Sequence, residues 1–398
     1  MHIGAEGKEN FVPDPHFENR VFSLPSTKKG EKIFIKGREI FVSSGRRFAG
    51  TLRHVRREKK LPAAPRLLTP AMARQQKPVP DARPFLKWAG GKTQLLPEFS
   101  RRFPPAMKKG RITDYVEPFI GGGAVFFFLN QRYSFKNCTI CDANEELILT
   151  YRVIKRSVMR LIRELETLQC DYLEKKGDRR EKFYYDVRTA YNRDRSFIDM
   201  SRYSPDWVAR AARTIFLNRT CFNGLFRVNR NGEFNVPFGR YVNPEILFED
   251  NLKDVATLLK NTRILLGDFT KCRKYVDRKT FVYLDPPYRP LNTTASFTSY
   301  AKQGFPDSDQ HRLARFFREL DATGARLMLS NSDPKNEDPS DTFFDELFTG
   351  YRIERVPARR MINCNGKRRG AINELVVTNY KPAPCRSASK NSAAKKSV

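Results

Sequence analysis

A short apolar run that ends in Asp-Pro-Pro-Tyr is the feature that most constrains how this chain can fold. Phe281 to Leu284 is apolar and rich in residues that favour strands, so it predicts a buried β-strand. Asp285 follows, and the two prolines after it forbid both a helix and a continued strand ladder. The backbone must therefore leave the sheet immediately after a carboxylate.

The corner made by Asp285, Pro286, Pro287 and Tyr288 has the groups that suit a flat ring bearing an amine. In an open α/β sheet, ligands bind beyond the carboxyl ends of the strands. Asp285 and the Pro286 carbonyl can accept hydrogen bonds from an amine there, and Tyr288 can stack on the ring. The alternative is an ordinary strand followed by a Pro-Pro turn, and the tetrapeptide alone does not decide between them.

The charge of the chain points to a polyanionic partner. Its 398 residues include 74 Lys and Arg against 44 Asp and Glu, which gives a formal net charge of +30. This charge exceeds what solubility requires and fits nucleic acid. No apolar run approaches the roughly 20 residues of a membrane-spanning helix, and the N-terminus lacks the apolar core of a signal peptide. We therefore expect a cytoplasmic protein without a membrane partner.

Cysteine usage fits the same compartment and does not favour a metal. Seven cysteines, an odd number, are scattered over the chain, as in proteins of a reducing cytoplasm. Cys138 and Cys141 form a lone Cys-x-x-Cys pair without a second pair or a nearby histidine. We interpret them as strand cysteines and expect no metal site.

Two glycine turns predict a site for a nucleotide-like ligand. Gly90-Gly91-Lys92-Thr93 lacks the glycine spacing of a P-loop, but Trp88 beside it offers a stacking surface and Lys92 can reach a carboxylate. Asp114 to Leu129 reads as a strand, a glycine turn and a helix, the opening unit of a Rossmann-like sheet. Its spacing does not favour NAD, but its glycines allow close packing against an adenosyl group.

Acids at strand tips extend this α/β pattern. Further strands are predicted at 138–141, 263–269, 326–330 and 373–380. Asp142 ends the first of them, at the position where such folds hold a ribose diol. Asp268 lies at the tip of the second.

An Arg-, Asn- and aromatic-rich segment, Leu217 to Tyr241, follows an apolar helix at 208–217. Arginine and asparagine side chains can read guanine and adenine in the major groove, and aromatic side chains can stack or wedge. Asn231-Gly232 predicts a hairpin turn within it. The alternative interpretation is an irregular structural loop.

Composition divides the chain into five segments. The basic N-terminal extension and linker alternates between Glu31 and Ser43, which indicates a hairpin or two short strands. It is either an arm that tracks along nucleic acid or a solvated extension. The C-terminal tail is rich in Ser, Ala and Lys and is expected to be disordered. The segments are the extension (1–83), the first part of the sheet domain (84–150), an insert (151–261), the second part of the sheet domain (262–380) and the tail (381–398).

Four blocks in this order resemble the DNA adenine methyltransferases of the Dam type. They are Phe85 to Lys92, Val116 to Phe119 with its glycines, Asn223 to Tyr241, and Asp285 to Tyr288. The resemblance covers roughly residues 84–380. It implies an S-adenosylmethionine-dependent methyltransferase with a Rossmann-like sheet and an inserted, mainly helical target-recognition domain.

The resemblance also implies roles for individual residues. Donor binding is implied for Trp88, Lys92, Glu117, Gly121, Gly123, Asp142, Asp268 and Asp285, with Asp268 receiving the donor's adenine. The flipped target base would be held by Asp285, Pro286, Pro287 and Tyr288. Contacts to DNA are implied for Lys87, Phe222, Asn223, Leu225, Arg227, Pro237 and Arg240, with Lys87 reading an outer guanine.

The expected activity is methyl transfer to the exocyclic amine of a flipped-out adenine in duplex DNA. The expected target is GATC or a related sequence, although Phe222 stands where the family usually has a tyrosine wedge. Two alternatives are a cytosine amino methyltransferase and a catalytically silent DNA-binding protein on the same scaffold. We expect a monomer that needs no metal, and a cognate restriction endonuclease, where one exists, would act separately.

Overall fold

The computed structural model describes residues 80–289, 305–359 and 371–382, together with two short strands nearer the N-terminus. These strands, β1 (Lys32–Ile35) and β2 (Arg38–Phe41), pair antiparallel and confirm the expected hairpin. They belong to a separate unit, Met1–Arg74. The rest of the basic extension up to residue 79, and the tail from residue 383, lie outside the described residues.

The second unit is Gln75–Val398. Its described residues form one seven-stranded sheet with the strand order β5-β4-β3-β6-β7-β9-β8. Strands β3 to β7 are parallel where they pair, and β9 runs antiparallel to both β7 and β8. This mostly parallel order confirms the predicted α/β class. The strands are β3 (Asp114–Glu117), β4 (Asn137–Asp142), β5 (Thr262–Leu266), β6 (Thr280–Leu284), β7 (Arg326–Ser332), β8 (Arg352–Arg359) and β9 (Ala371–Thr378).

One strand was not predicted, and two of the strand predictions were wrong. Strand β8 was not predicted, because its charged residues and Pro357 do not resemble a buried strand, yet an edge strand tolerates both. Strand β9 therefore lies inside the sheet and does not close it. Strand β5 ends at Leu266 and not at Phe269, because Asp268 already caps the short 3-10 helix Phe269–Tyr275.

Helices cover both faces of the sheet. Side chains of β6 alternate between the two faces, so Phe281 and Tyr283 join one apolar cluster and Val282 and Leu284 join the other. No helix among the described residues is both long and apolar enough to cross a membrane. The helices are α1 (Leu96–Ser100), α2 (Pro105–Lys108), α3 (Ala124–Asn130), α4 (Glu145–Glu174), α5 (Asp178–Arg193), α6 (Asp206–Thr220), α7 (Glu249–Leu259), α8 (Asp307–Asp321) and α9 (Phe343–Leu347).

Helix α4 connects the sheet to the insert. Two residues separate it from β4. It runs through the predicted boundary at residue 150, and its helical geometry breaks at Ser157. Helix α6 packs along it and contains the predicted apolar helix at 208–217. Glu146 and Arg210 join the two helices through contacts as short as 2.6 Å, and Arg210 also donates to the Tyr191 carbonyl.

Replacing Arg210 by Ala should destabilise this connection. The Arg210 side chain is 2% exposed and that of Glu146 is 15% exposed, so the substitution would leave a carboxylate in the protein without its partner. We expect the free energy of unfolding to fall by about 3 kcal/mol, measured by chemical denaturation. Arg160→Ala, at an exposed position on α4, is the control and should change it by no more than about 0.5 kcal/mol. Equal stability of the two variants would contradict this prediction.

Candidate active site

Lys92 and Asp285 form the centre of the pocket at the carboxyl end of β6. The Lys92 Nζ donates to Asp285 Oδ1 at 2.6 Å and to the Gly90 carbonyl at 3.1 Å. Lys92 precedes the first helical turn after the glycines, and Asp285 directly follows β6. The turn at Gly90-Gly91 thus brings a lysine from the start of the sheet domain to the Asp-Pro-Pro-Tyr corner.

Tyr288 completes this cluster from the other side of the prolines. Its hydroxyl oxygen accepts a hydrogen bond from Lys92 Nζ at 3.2 Å, and its hydroxyl donates to Glu374 Oε2 at 3.2 Å. Lys92 Nζ also lies 5.0 Å from the centre of the Tyr288 ring. The ring is therefore fixed at one edge, and the side chain is 43% exposed, so part of its surface remains available to a ligand.

Burial and ion pairing oppose each other in setting the charges of this cluster. Burial alone would lower the pKa of Lys92, but Asp285 and Glu374 outweigh it and hold that pKa well above its ordinary value. Burial raises the pKa of Asp285 and of Glu374, and Lys92 offsets part of each shift. The Lys92 ammonium thus lies between the carboxyl groups of Asp285 and Glu374, and all three side chains are largely buried.

Two hydrogen-bond acceptors at the corner have no protein donor among the residues that the structure describes. Both hydrogen bonds to the Asp285 carboxylate go to Oδ1, from Lys92 and from Ser330 at 3.4 Å, which leaves Oδ2 without one. The Pro286 carbonyl likewise accepts none, whereas the Pro287 carbonyl accepts from Gln310 at 3.4 Å. A bound amine could donate one hydrogen to each of the two acceptors.

The glycine turn after β3 packs against Trp88 and Asp142. A Cβ on Gly121 would lie 3.1 Å from the Trp88 indole, at a φ of +46°, so this close approach requires glycine. The Gly121 N–H donates to Asp142 Oδ2 at 3.0 Å, and the Asn144 N–H donates to Oδ1 at 2.9 Å. Each oxygen of Asp142 keeps a further lone pair, which a ligand hydroxyl can use.

Glu117 and Gly123 lie on either side of this turn. The Glu117 carboxylate accepts from the Tyr115 hydroxyl at 2.6 Å, and burial raises the pKa of Glu117 well above its usual range. Gly123 precedes α3 with a φ of 76°. Asp285 raises the pKa of Glu117 further, which indicates that the two carboxylates act on each other electrostatically.

Asp268 lies beyond the tip of β5 and is already engaged by protein donors. Its Oδ1 accepts from the Thr270 N–H at 3.0 Å and from the Thr270 hydroxyl at 2.6 Å, and its Oδ2 binds Arg312. The neighbouring Gly267 N–H donates to the Asp142 carbonyl at 2.9 Å, which joins the tips of β4 and β5. Asp268 is therefore near the glycine turn, although its own carboxylate is committed to the protein.

Apart from Lys87, the predicted DNA-contacting residues lie on one irregular hairpin after α6. Short antiparallel bridges join Cys221 to Phe238 and Val228 to Phe234, and the Gly232 N–H closes the turn on the Asn229 carbonyl, which confirms the predicted hairpin. The Phe222 N–H donates to the Pro237 carbonyl at 2.9 Å, and the Arg227 guanidinium donates to Asn235 Oδ1 at 2.9 Å. We name residues 221–241 the recognition hairpin.

The recognition hairpin exposes most of these side chains. Phe222 is 51% exposed. Arg240 is exposed as well, and its guanidinium lies 3.4 Å from Glu181 on α5. Asn223 and Arg240 both adopt positive φ values, 57° and 55°, which turn the chain sharply next to them. Leu225 instead packs against the apolar core.

Asn218 ties the recognition hairpin to the segment that contains Lys87 and Trp88. Its fully buried amide donates to the carbonyls of Lys87 and Gly224, each at 2.9 Å, and its oxygen accepts from the Lys87 N–H at 2.8 Å. A Cβ on Gly224 would lie 2.2 Å from Lys87 Cδ. The hairpin can therefore approach Lys87 this closely only because residue 224 is a glycine. Trp88, the next residue, stacks on Phe226 with 5.4 Å between ring centres.

Sequence reasoning missed Tyr283, Ser330 and Glu374. The Tyr283 and Ser330 hydroxyls lie 2.7 Å apart, and Ser330 donates to Asp285. Tyr283 could have been found, because it lies two residues before Asp285 on the same face of a strand. Ser330 and Glu374 lie on other strands, outside any recognised motif, so no sequence signal identified them.

Cys138 and Cys141 are both buried in β4, as the strand interpretation predicted, and Cys138 donates to Asn130 Oδ1 at 3.2 Å. Burial raises the pKa of the Cys138 thiol to about 12, so it stays protonated at neutral pH. Within the described ranges, no group of three or more His, Cys, Asp or Glu side chains is arranged to hold a metal ion.

Comparison with known proteins identifies the class to which this pocket belongs. A model of the D12 class N6 adenine-specific DNA methyltransferases matches residues 88–362. The match covers more than half of the chain and includes Trp88, the glycine turn, the recognition hairpin and the Asp-Pro-Pro-Tyr corner. The chain therefore belongs to this family and is an adenine-specific DNA methyltransferase, which confirms the predicted class and activity.

Individual relatives agree with the family match. The chain is 52% identical over 301 residues to the type II methyltransferase M.MjaIII of Methanocaldococcus jannaschii, covering 75% of this chain and 100% of the relative. It is 39% identical to the type II methyltransferase M1.LlaDCHI of Lactococcus lactis subsp. cremoris, covering 75% and 96%. It is 34% identical to the DNA adenine methylase of Escherichia coli (strain K12), covering 75% and 96%.

Replacing Lys92 by Met should move the pH dependence of the reaction. Burial raises the pKa of Asp285, and Lys92 is the main group that lowers it, so the pKa should rise further in the variant. A reaction that needs ionised Asp285 is lost as the pH falls through this pKa, so its acid limb should move to higher pH. The measurement is the single-turnover methylation rate against pH at saturating donor. An acid limb at the wild-type position would contradict the prediction.

Proposed function

We propose that this enzyme uses S-adenosylmethionine to methylate the N6 amine of a flipped-out adenine in duplex DNA, at GATC or a related sequence. The observation that carries the proposal is a pair of acceptors beside the Lys92 ion pair, Asp285 Oδ2 and the Pro286 carbonyl, to which no group among the described residues donates. The two acceptors match the two hydrogens of an exocyclic amine. They lie at the carboxyl end of the sheet, where ligands bind in this fold class.

The residues on the donor side fit an adenosyl sulfonium. Trp88 and the Gly121 backbone provide a flat contact, and Asp142 retains lone pairs for two neighbouring hydroxyls. Asp285, which pairs with Lys92, is the carboxyl group proposed to face the positive charge of the donor. Trp88, Lys92, Glu117, Gly121, Gly123, Asp142 and Asp285 would hold the donor, and Asp268 would lie next to its adenine. When bound, the donor supplies an electrophilic methyl group on a positively charged sulfur.

Asp285 and the Pro286 carbonyl orient the target amine. Accepting both of its hydrogens makes the nitrogen more nucleophilic and directs its lone pair away from the two acceptors. Pro286 and Pro287 keep the carbonyl in place, because their φ angles are fixed. Tyr288 supplies a ring on which the flipped base can stack, and the base must leave the helical stack to reach it.

Charge compensation supports transfer from a cation to a neutral amine. As the bond between the methyl carbon and sulfur breaks and the new bond to nitrogen forms, the positive charge would pass from sulfur to the amine nitrogen in front of Asp285. A preorganised carboxylate in a pocket that excludes water stabilises this charge more effectively than solvent does. Loss of one amine proton to solvent then leaves the neutral methylated amine. Lys92 favours the ionised form of Asp285, because it lowers the carboxyl pKa that burial raises.

The recognition hairpin is the proposed reader of the target sequence. Phe222, which is 51% exposed, is the proposed wedge into the base stack. Arg227, Arg240, Asn223 and Pro237 lie on the same exposed segment. Lys87 contacts this hairpin and directly precedes Trp88 of the donor pocket, so base reading and donor binding share one stretch of chain. The insert at 151–261 is accordingly the proposed target-recognition domain, between sheet parts at 84–150 and 262–380.

The proposed enzyme acts on DNA in the cytoplasm as a monomer. Its pocket is built from one chain, since donor, base and recognition residues are all in contact within the second unit. The type II names of two relatives favour a restriction-modification system, in which the cognate endonuclease would act separately. The arm formed by residues 1–83 is proposed to add electrostatic affinity for DNA.

Replacing Asp285 by Ala tests the proposed chemistry. It removes the anionic acceptor but no residue of the recognition hairpin, so methyl transfer should fall by roughly 100- to 1000-fold or more while DNA affinity is retained. The measurements are tritium transfer from labelled donor to a duplex and a DNA-binding titration. Asp114→Ala, at the amino end of β3, is the control and should transfer at the wild-type rate. Near wild-type labelling by Asp285→Ala would refute the assignment.

Replacing Arg227 by Ala tests the proposed base reading. Loss of an arginine that contacts a base edge should cost about 1–3 kcal/mol of discrimination, so sequence choice should relax more than nonspecific affinity falls. Sequencing that reports modified adenines, on DNA from cells expressing each variant, measures the change. Arg230→Ala, on the same hairpin, should leave the ranking of target sequences unchanged. A uniform loss at every sequence in Arg227→Ala would count against base reading.

A further inference from the structure

Glu374 is a buried carboxylate of the pocket that lies outside every motif described above. Its side chain is 4% exposed, like that of Lys92. Isolated carboxylates are rarely buried to this degree, because a charged group that leaves water loses its hydration unless a partner compensates. The position of Glu374 therefore calls for a physical explanation.

The antiparallel strand of the sheet brings Glu374 to the active site. Glu374 pairs with Ser332 at the end of β7. Because β9 runs against β7, its amino-terminal part lies beside the carboxyl ends of the parallel strands, where Asp285 follows β6. In a parallel strand, an acidic residue near the amino end would lie at the opposite end of the sheet. In the antiparallel strand β9, Glu374 lies beside the pocket instead.

Glu374 holds two groups of the pocket at once. Its Oε2 accepts from the Tyr288 hydroxyl at 3.2 Å, and its Oε1 lies 3.4 Å from Lys92 Nζ. Lys92 donates to the Tyr288 oxygen at 3.2 Å, so these three side chains form a closed triangle. Asp285 is attached to the triangle through Lys92, at 2.6 Å.

The triangle solves a problem that the Lys92–Asp285 pair creates. If the buried Lys92 ammonium had Asp285 as its single carboxylate partner, its positive charge would act mainly on Asp285. It would then weaken the attraction of Asp285 for the positive charge that develops on the amine. With Glu374 present, the pocket has two carboxylates for one ammonium, so negative charge remains for the amine. The Tyr288 hydroxyl is also fixed, which sets the orientation of the ring on which the base stacks.

We propose that Glu374 is a positioning residue for methyl transfer, which anchors Lys92 and the Tyr288 hydroxyl so that Asp285 presents its negative charge to the target amine. This inference rests on the proposed function of Asp285 and Tyr288. Glu374 touches neither the base nor the donor in this role, and it acts through the two side chains that it holds.

The test is Glu374→Gln, which keeps the size of the side chain and removes its charge. At saturating donor and DNA, the single-turnover rate should fall roughly 10- to 100-fold, as expected for misplaced reacting groups, with dissociation constants for donor and duplex changed by less than about threefold. Glu374→Asp retains the charge and should recover part of the lost rate. Glu354→Gln, in the neighbouring strand β8, removes a carboxylate paired with Arg102 and Arg352 outside the pocket and should leave the rate unchanged.

The pH profile separates positioning from a merely structural role. The titratable groups that interact with Glu374 among the described residues are Lys92, Asp285 and Tyr288. In the wild type, both carboxylates must be ionised, so the acid limb should be steeper than the loss of one proton. In Glu374→Gln only Asp285 remains to titrate in the acid limb. The logarithm of the rate should therefore fall there with a slope of one against pH.

Three results would overturn the role of Glu374. They are a wild-type rate in Glu374→Gln, an acid limb of unchanged slope, and a rate loss that is matched by a loss of melting temperature and donor affinity. An active wild type with a fully active Glu374→Gln variant refutes this role alone. A wild type that transfers no methyl group to adenine refutes the proposed function and this inference together.

Discussion

The ion pair between Lys92 and Asp285 is the contact on which the rest of the pocket depends. It joins residues separated by 193 positions in the chain, at a distance of 2.6 Å. Because the ammonium is buried, it must keep a carboxylate partner, and this requirement holds the glycine turn at Gly90-Gly91 against the corner after β6. Trp88 and Lys87 are placed by the same constraint, since they precede Lys92 in one short segment.

Electrostatics and topology act together at this centre. The parallel strands bring Asp142 and Asp285 to one edge of the sheet, and the antiparallel strand β9 adds Glu374 from the opposite chain direction. The resulting excess of carboxylate over ammonium suits a reaction in which a cationic donor becomes neutral and charge appears on an amine. Burial strengthens each of these interactions and also raises the carboxyl pKa values, which Lys92 offsets.

The segment from Phe85 to Lys92 connects the recognition hairpin to the proposed catalytic cluster. Its backbone is hydrogen-bonded to Asn218 at the end of α6, and Trp88 stacks on Phe226 of the recognition hairpin. The same segment ends at Lys92 in the catalytic cluster. A displacement of the recognition hairpin would therefore be transmitted to Trp88 and Lys92 through direct packing and hydrogen bonds.

Sequence patterns determined the fold class, the family and the proposed catalytic corner, because these depend on local signals. The apolar run before Asp285, the prolines after it and the glycine turns each restrict the backbone without reference to distant residues. Strand β8 and the position of β9 inside the sheet were decided only by tertiary structure, since Pro357 and charged residues are tolerated at an edge. The parts played by Ser330, Glu374 and Asn218 also came from the tertiary structure. Their side chains form contacts between elements far apart in the chain, and no local spacing encodes such contacts.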